Sequence, residues 1–321
     1  MRRRAVLALL GGAAVWVRRA QARVARAQPL RVGVLDPGLP TLFDAFFQGM
    51  RELGYVEGDS VVYLRRSTEG QAAPTVRLAT ELAGLKPDVI FTSGTLPVRA
   101  VFDATSTIPI VFCGLGDAVA MGVAESLARP GRNATGLSFL ITEITPKRLH
   151  LLIEALPGAR RIALLWDRTT SPITLDSTID AARALGLAVE AHRVVGPDES
   201  AAAFDAAVAG HAEAMLVLPS AFFFAYRAQL ADLGLRRRLP GIYDAADFVR
   251  AGGLISYGPD LRAMFRRAAS FVDKIADGAT PASLPIEQPT GLELAVNLKT
   301  AMALQREIPP SIVARADEVI E

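Results

Sequence analysis

Cysteine is almost absent from this 321-residue chain: the single Cys113 can form no intramolecular disulfide and no thiolate cluster for a metal. It lies in an apolar run with no His or Lys near it in sequence to lower its pKa, and reads as a small buried hydrophobe rather than a reactive thiol. Histidine is nearly as scarce. His150, His192 and His211 stand far apart, with no HExxH and no paired spacing, so a zinc or redox centre has no support. A P-loop and a GxSxG elbow are also missing, and Gly114-Leu115-Gly116 begins like a dinucleotide fingerprint only to meet Val119 at the third glycine position. No cofactor, no metal and no catalytic residue is expected. Carboxylates at strand ends can in principle meet as an acid/base pair, but no spacing demonstrates one.

Acidic residues are missing from positions 1–27, which hold seven arginines. Without that segment the charge balance changes sign, to 28 basic against 33 acidic groups, so a nucleic-acid or anionic-membrane partner loses its electrostatic basis. Arg236-Arg237-Arg238 reads as a solvated helix end before Leu239-Pro240. The same N-terminal segment lacks an apolar run long enough for a spanning helix of about 20 residues. Ala5 to Val17 is interrupted by Gly11 and Gly12 and stopped by Arg18 and Arg19. With Arg2, Arg3 and Arg4 before it and Ala25-Arg26-Ala27 after it, the stretch reads as an export signal over residues 1–28, the mature chain beginning near Gln28; a permanent anchor is the alternative. The Arg3-Arg4 pair admits twin-arginine export as well as the general route. The expected location is the periplasm.

What the chain has in quantity is apolar residues, 51% of the total, enough over roughly 290 mature residues for a large core and about two domains. Their arrangement alternates. Residues 30–36 (LRVGVLD) form a continuous apolar run of the kind buried on both faces of a parallel sheet. After the loop Pro37-Gly38-Leu39-Pro40 comes a helical stripe of Leu42, Phe43, Phe46, Phe47, Met50 and Leu53, stopped by Gly54. Strands are expected at 60–64, 88–92 and 108–112, with helices between them and a short strand at 135–137. The pattern restarts at 161–167 (RIALLWD), with a helix at 175–185, a strand at 188–194, a helix at 201–209, and strands at 213–218 and 239–243. Asp88 follows Arg31 by 57 residues and Glu213 follows Arg161 by 52; Pro109 follows Arg31 by 78 and Pro240 follows Arg161 by 79. Two copies of one α/β lobe are the simplest explanation, and one larger doubly wound sheet is the alternative. A tail follows, with a strand at 253–257, a helix at 261–275, an extended segment at 284–288, a strand at 292–296 and a helix at 298–305. If its early part returns to the first lobe and its end to the second, the repeated crossings make a hinge.

Ligands of open α/β sheets sit at the carboxyl ends of the strands. That rule selects Gly38, Ser93, Gly94, Thr95, Asp117 and Ser138 in the first copy. In the second it selects Trp166, Asp167, Ser171, Ser220, Phe222, Tyr243, Asp244 and Tyr257. Asp36, Gly114, Gly116, Pro219 and Ser256 also stand at strand ends. Hydroxyls, amides, carboxylates and aromatics of this kind suit a small polar or zwitterionic molecule with an apolar part. Local capping competes with ligand contact at Ser93-Gly94-Thr95 and at Asp117, and burial in the core competes at Trp166, Phe222 and Tyr243.

Several stretches carry a resemblance. Arg51 to Gly58 (RELGYVEG), Ser106 to Phe112 (STIPIVF), Ser126 to Leu137 (SLARPGRNATGL), Gly252 to Gly258 (GGLISYG), Glu287-Gln288-Pro289-Thr290, Asn297 to Ala301 and Ala314 to Glu318 together resemble the ABC-transporter substrate-binding proteins of the tryptophan or aromatic-amino-acid type. The resemblance runs from about Leu30 to the end. It implies a periplasmic-binding-protein type I fold of two doubly wound α/β lobes joined by a hinge of three crossovers: residues 29–140 with about 256–285, and residues 141–255 with about 286–321. It further implies a monomeric, non-enzymatic receptor that closes on a small solute and delivers it to a membrane permease. The family's contacts fall on the 93–95 turn, Asp117, Ser138, Asp167, Ser220 and Asp244. Ala118 departs from the usual Asp-Pro, and Pro219-Ser220-Ala221 with Phe222-Phe223-Phe224 departs from the Pro-Thr-Asp-Asn of tryptophan-binding members, so a different ligand is open. A periplasmic sensor module and an exported hydrolase are the other functions considered.

Overall fold

The structure is a computed structural model that describes residues 28–139 and 141–321. The export-signal reading covers residues 1–28, of which all but Gln28 lie outside the described residues. The chain first lays down β1 (Leu30–Asp36), α1 (Pro40–Glu52), β2 (Val61–Ser67), α2 (Thr75–Gly84), β3 (Val89–Ser93), α3 (Thr95–Ala104), β4 (Ile110–Leu115) and β5 (Ala134–Ser138). These strands form a five-stranded parallel sheet in the order β2-β1-β3-β4-β5. The run at β1 is buried on both faces because strands flank it on both sides and helices cover it. β2 lies at the sheet edge, and only Val61 of it is buried. At α1, Pro40 starts the helix, Leu42, Phe43, Phe46 and Met50 face the sheet, and Gly54 at φ +88° ends it.

The second unit follows with α4 (Ile141–Ala155), β6 (Arg161–Asp167), α5 (Pro172–Ala184), β7 (Ala188–Val194), α6 (Pro197–Ala209), β8 (Ala214–Val217), α7 (Ala221–Ala225), α8 (Arg227–Arg236), β9 (Gly241–Tyr243), α9 (Ala246–Arg250) and β10 (Ile255–Gly258). The tail adds α10 (Leu261–Ala276), β11 (Glu293–Asn297), α11 (Leu298–Ala303), α12 (Pro310–Val313) and β12 (Glu318–Ile320). The second sheet has seven strands in the order β12-β11-β10-β9-β8-β6-β7, parallel except where β11 runs against β10. The alternative of one undivided sheet is thereby set aside.

Three crossings join the units. The chain passes from β5 to α4, returns from β10 to α10, which packs on α1, and leaves again for β11. β10 stays between β9 and β11 as far as Gly258, and Glu287 exchanges backbone hydrogen bonds with Gly136 and Ser138 at the β5 edge.

Helix α4 was not expected. Pro146 sits inside it, and the apolar period that reveals it is confined to Ile144, Leu149, Leu152 and Ala155.

The core has three apolar clusters. Two cover the outer faces of the sheets, while the third runs without a break from Phe43, Phe46 and Phe91 of the first unit to Phe223, Phe224 and Tyr243 of the second. Phe46 stacks on Phe91 at 3.8 Å between centroids, and Phe265 of α10 meets Phe91 edge-on at 5.9 Å. A fully buried side chain of this size contributes roughly 1.5–3 kcal/mol, so the returning helix is held mainly by apolar contact.

Candidate functional site

Strand ends of both sheets open onto one cavity of about 60 Å³. From the first unit it is lined by Ser93, Gly94 and Thr95 at the end of β3, by Gly114 and Gly116 after β4, and by Leu39 and Leu42. From the second come Thr169 after β6, Ser220 after β8 and Asp244 after β9. Phe224, Leu261 and Phe265 complete its apolar walls. Among the described lining residues there is one carboxylate, Asp244, and no Lys, Arg or His.

The 93–95 turn resolves one of the alternatives posed by its sequence. Gly94 is the residue before α3, at φ +84°, and no side chain caps the helix. The Ser93 and Thr95 side chains are therefore not spent on capping. Ser93 is buried, and the first-turn N–H groups of Thr95 and Leu96 have no helical carbonyl one turn back. Such an end attracts a negatively charged group. A Cβ on Gly94 would lie at ordinary contact distance, 3.7 Å, from that of Ala221, so it is the positive φ rather than crowding that calls for glycine there. Gly114, at φ +72°, marks the register shift between β4 and β5, and a Cβ on it would come to 3.0 Å from the Phe139 ring.

Leu39 reaches the cavity through a tight turn: the Asp36 carboxylate accepts the N–H groups of Gly38 and Leu39 at 2.8 and 2.6 Å. Burial raises the Asp36 pKa, and these two N–H donors oppose the rise. Across the cavity, Asp244 is 7% exposed. Burial raises its pKa as well, with the Arg148 guanidinium acting the other way. Arg148 is buried on α4, and burial lowers its own pKa against the pull of Asp244.

Of the residues selected from sequence, Ser93, Gly94, Thr95, Ser220 and Asp244 meet at this cavity. The others have different surroundings. Gly38 supports the turn next to Leu39. Asp117 is exposed and accepts the N–H groups of Val119 and Ala120, so it caps a turn. Ser138 donates to the Leu115 carbonyl at 3.0 Å inside the first unit. Trp166 lies half-buried beneath Arg193, with its indole N–H buried and lacking a protein acceptor. Asp167 is buried beside the cavity. One of its carboxylate oxygens accepts from Thr169 and Thr170, and the other has no partner. Ser171 caps α5 through the Thr174 N–H. Ser220 caps α7 through the Phe223 N–H at 2.9 Å while lining the cavity, so capping and lining coexist there. Phe222 packs on Phe223 and Tyr226, and Tyr243 stacks on Phe248 in the core at 4.7 Å. Tyr257 offers its carbonyl to Arg148. Cys113 is buried and its thiol pKa pushed up, as its apolar run implied.

Leu39, Leu42, Phe224, Leu261, Phe265 and Arg148 were not selected from sequence. For Leu42, Leu261 and Phe265 the signal was apolar periodicity, which reports burial without saying that a cavity adjoins it, and Arg148 carried none.

The fold is that of the periplasmic binding proteins of type I, two mostly parallel sheets flanked by helices. A structure of a conserved domain protein from Vibrio cholerae superposes with a TM-score of 0.85 at 24% identity, covering 91% of this chain and 100% of the other. An ABC domain in complex with L-Trp from Streptococcus pneumonia gives 0.84 at 22% identity, with coverage of 91% and 100%. A tyrosine-binding protein of Clostridioides difficile is 23% identical over 276 residues, 85% of this chain and 79% of the relative. Among the described residues no helix is long and apolar enough to cross a membrane. Residues 30–320 match the family model for the ABC transporter substrate binding protein, and the chain belongs to that family of solute-binding, non-enzymatic proteins.

Proposed function

We propose that this protein is the extracytoplasmic receptor of an ABC importer, exported to the periplasm, and that it binds a small organic solute in the cavity between its two units. The single observation that carries this reading is the cavity itself, shared between strand ends of both sheets. Its chemistry favours a solute of amino-acid or aromatic, amide-like type. The uncapped start of α3 suits a carboxylate, Asp244 suits a hydrogen-bond donor or cation, and Leu39, Leu42, Phe224 and Phe265 suit an apolar body. The tyrosine- and tryptophan-binding relatives support the same class.

In this reading residues 29–140 with the returning α10 form one lobe, the remainder forms the other, and the three crossings are the hinge. The solute touches both lobes only when they close, so it shifts the population towards the closed form by its differential affinity. The closed monomer then presents a surface to the membrane permease. The solute leaves unaltered.

A thermal-shift screen of the purified chain against L-amino acids, aromatic acids and small amides tests this. A solute bound only by the folded state at about a hundred times its Kd adds roughly 2.7 kcal/mol, readable as a rise in Tm of several degrees. The expected result is stabilisation by one chemical class, with the solute recovered intact. Consumption of the solute, or no stabilisation by any class, would overturn the proposal.

A further inference from the structure

Two hydroxyl residues of the second unit line the cavity, Thr169 after β6 and Ser220 after β8, and their hydrogens are disposed in opposite ways. The Thr169 hydroxyl donates to Asp167 Oδ1 at 2.7 Å. The same carboxylate oxygen accepts the N–H groups of Thr169 at 2.8 Å and Thr170 at 3.2 Å. An oxygen that already takes two N–H groups can only accept, so the direction of the hydroxyl bond is fixed. A hydroxyl has one hydrogen to give, and Thr169 has spent it; its oxygen keeps only lone pairs for the cavity. Ser220 is the reverse case. Its oxygen accepts the Phe223 N–H at 2.9 Å, and its hydrogen is left to donate. Asp167 is 2% exposed and does not itself belong to the cavity wall, which is made two residues on by Thr169.

We propose that Thr169 is a specificity-determining residue, presenting the cavity with an acceptor of fixed polarity, and that Asp167 is the positioning residue that fixes it. This rests on reading the cavity as the solute site. Together with the Asp244 carboxylate, Thr169 makes the second unit's wall rich in acceptors, whereas the first unit offers the free N–H groups at the start of α3. That division orients a solute. Its nitrogen donor, an amino or amide group, turns to the second unit, and its acceptor end turns to the first. An oxygen acid or ether placed against Thr169 meets lone pairs and is left unpaired in a closed site, which is a penalty against the wrong solute as well as a bond to the right one.

Calorimetric titration of the full chain with matched probes tests this: L-tryptophan and L-tyrosine, each against its desamino analogue, and benzamide against benzoate. The members of a pair differ in the nitrogen donor, so the readout is the ratio of their affinities. Wild type should prefer the donor-bearing member of a bound pair by about tenfold or more. Thr169→Val keeps the shape and removes the acceptor; it should cut that preference by about three- to tenfold, and Thr169→Ser should retain most of it. Asp167→Ala frees the hydroxyl to rotate and should also lower the preference, while Asp167→Asn, whose amide oxygen still accepts the hydroxyl, should restore it. In the Thr169→Val background Asp167→Ala has no hydroxyl to release and should leave the ratio alone. Damage to the turn by itself weakens both members of a pair alike. If Asp167→Ala does not fold, Thr169→Val decides. Equal or reversed preference in wild type, a ratio unmoved by Thr169→Val, or an Asp167→Ala effect as large without the Thr169 hydroxyl as with it, would overturn the proposal and leave the receptor reading standing. Binding of no member of any pair would overturn both.

Discussion

Arg31 and Asp88 are joined twice. The Arg31 N–H donates to the Asp88 carboxylate at 2.7 Å, and the Asp88 N–H donates to the Arg31 carbonyl at 2.8 Å. The second unit repeats the arrangement with Arg161 and Glu213, at 3.0 and 2.8 Å. In both, an acid just before an inner strand takes up an N–H at or next to the start of the unit's first strand. Asp88→Ala and Glu213→Ala should each cost about 0.5–1.5 kcal/mol. The sites are in separate sheets, so the two losses should add. Urea denaturation of the single and double variants checks this, and a loss confined to one unit would break the equivalence.

Gly258→Ala tests the contact with Asp244. A Cβ there would come to 1.8 Å from the Asp244 carbonyl oxygen, and neither backbone can give way without disturbing β9 or β10. The expected cost is roughly 1–3 kcal/mol, with weaker solute affinity because Asp244 moves. Equal stability of variant and wild type would mean the two strand ends have room to separate.

Glu287 is gripped by Arg267 of α10 at 2.9 and 2.7 Å, just before the third crossing. The guanidinium holds the Glu287 carboxyl below its ordinary value of 4.5. A depressed folded-state pKa gives a contribution that is complete above the unfolded value and fades as pH falls through the folded one. Both groups are a third or more exposed, so Glu287→Gln should cost less than about 1 kcal/mol near neutrality. The difference from wild type should shrink in denaturation curves taken towards pH 3, below the usual carboxylate range. A constant difference would place the effect elsewhere.

The two faces of the first unit's loops make opposite predictions for solute binding. Ser93→Ala and Thr95→Val should each weaken binding of whichever solute the screen identifies, by about three- to tenfold for one lost hydrogen bond. Asp117→Ala should leave affinity unchanged and cost only turn stability, because its carboxylate is occupied by the Val119 and Ala120 N–H groups. Calorimetric titration decides. Weakening by Asp117→Ala alone would move the site to the 114–120 loop.

The strands were legible because parallel strands buried on both faces write unbroken apolar runs, as β1 and β6 do to the residue. Short pieces escaped notice. α9 and α12 have four or five residues each, too few for a period, and β12 is a three-residue edge strand. Polar lining at Ser93, Thr95, Ser220 and Asp244 followed from the strand-end rule. Arg148 did not, because nothing in a helical Lys-Arg-Leu stretch says which cation will be buried. Tyr243 and Ser138 stood at strand ends yet turned into their own units, a matter of side-chain direction that spacing does not encode.

Phe265 does two jobs at once. It walls the cavity and also presses on Phe43 and Phe91, the aromatic centre of the first unit. A lineage that reshaped the recess for another cargo by altering this ring would have to re-form that aromatic nest in the same step. Drift in solute preference should therefore run through Leu39, Leu42 and Phe224 first, with the position of Phe265 the last to change.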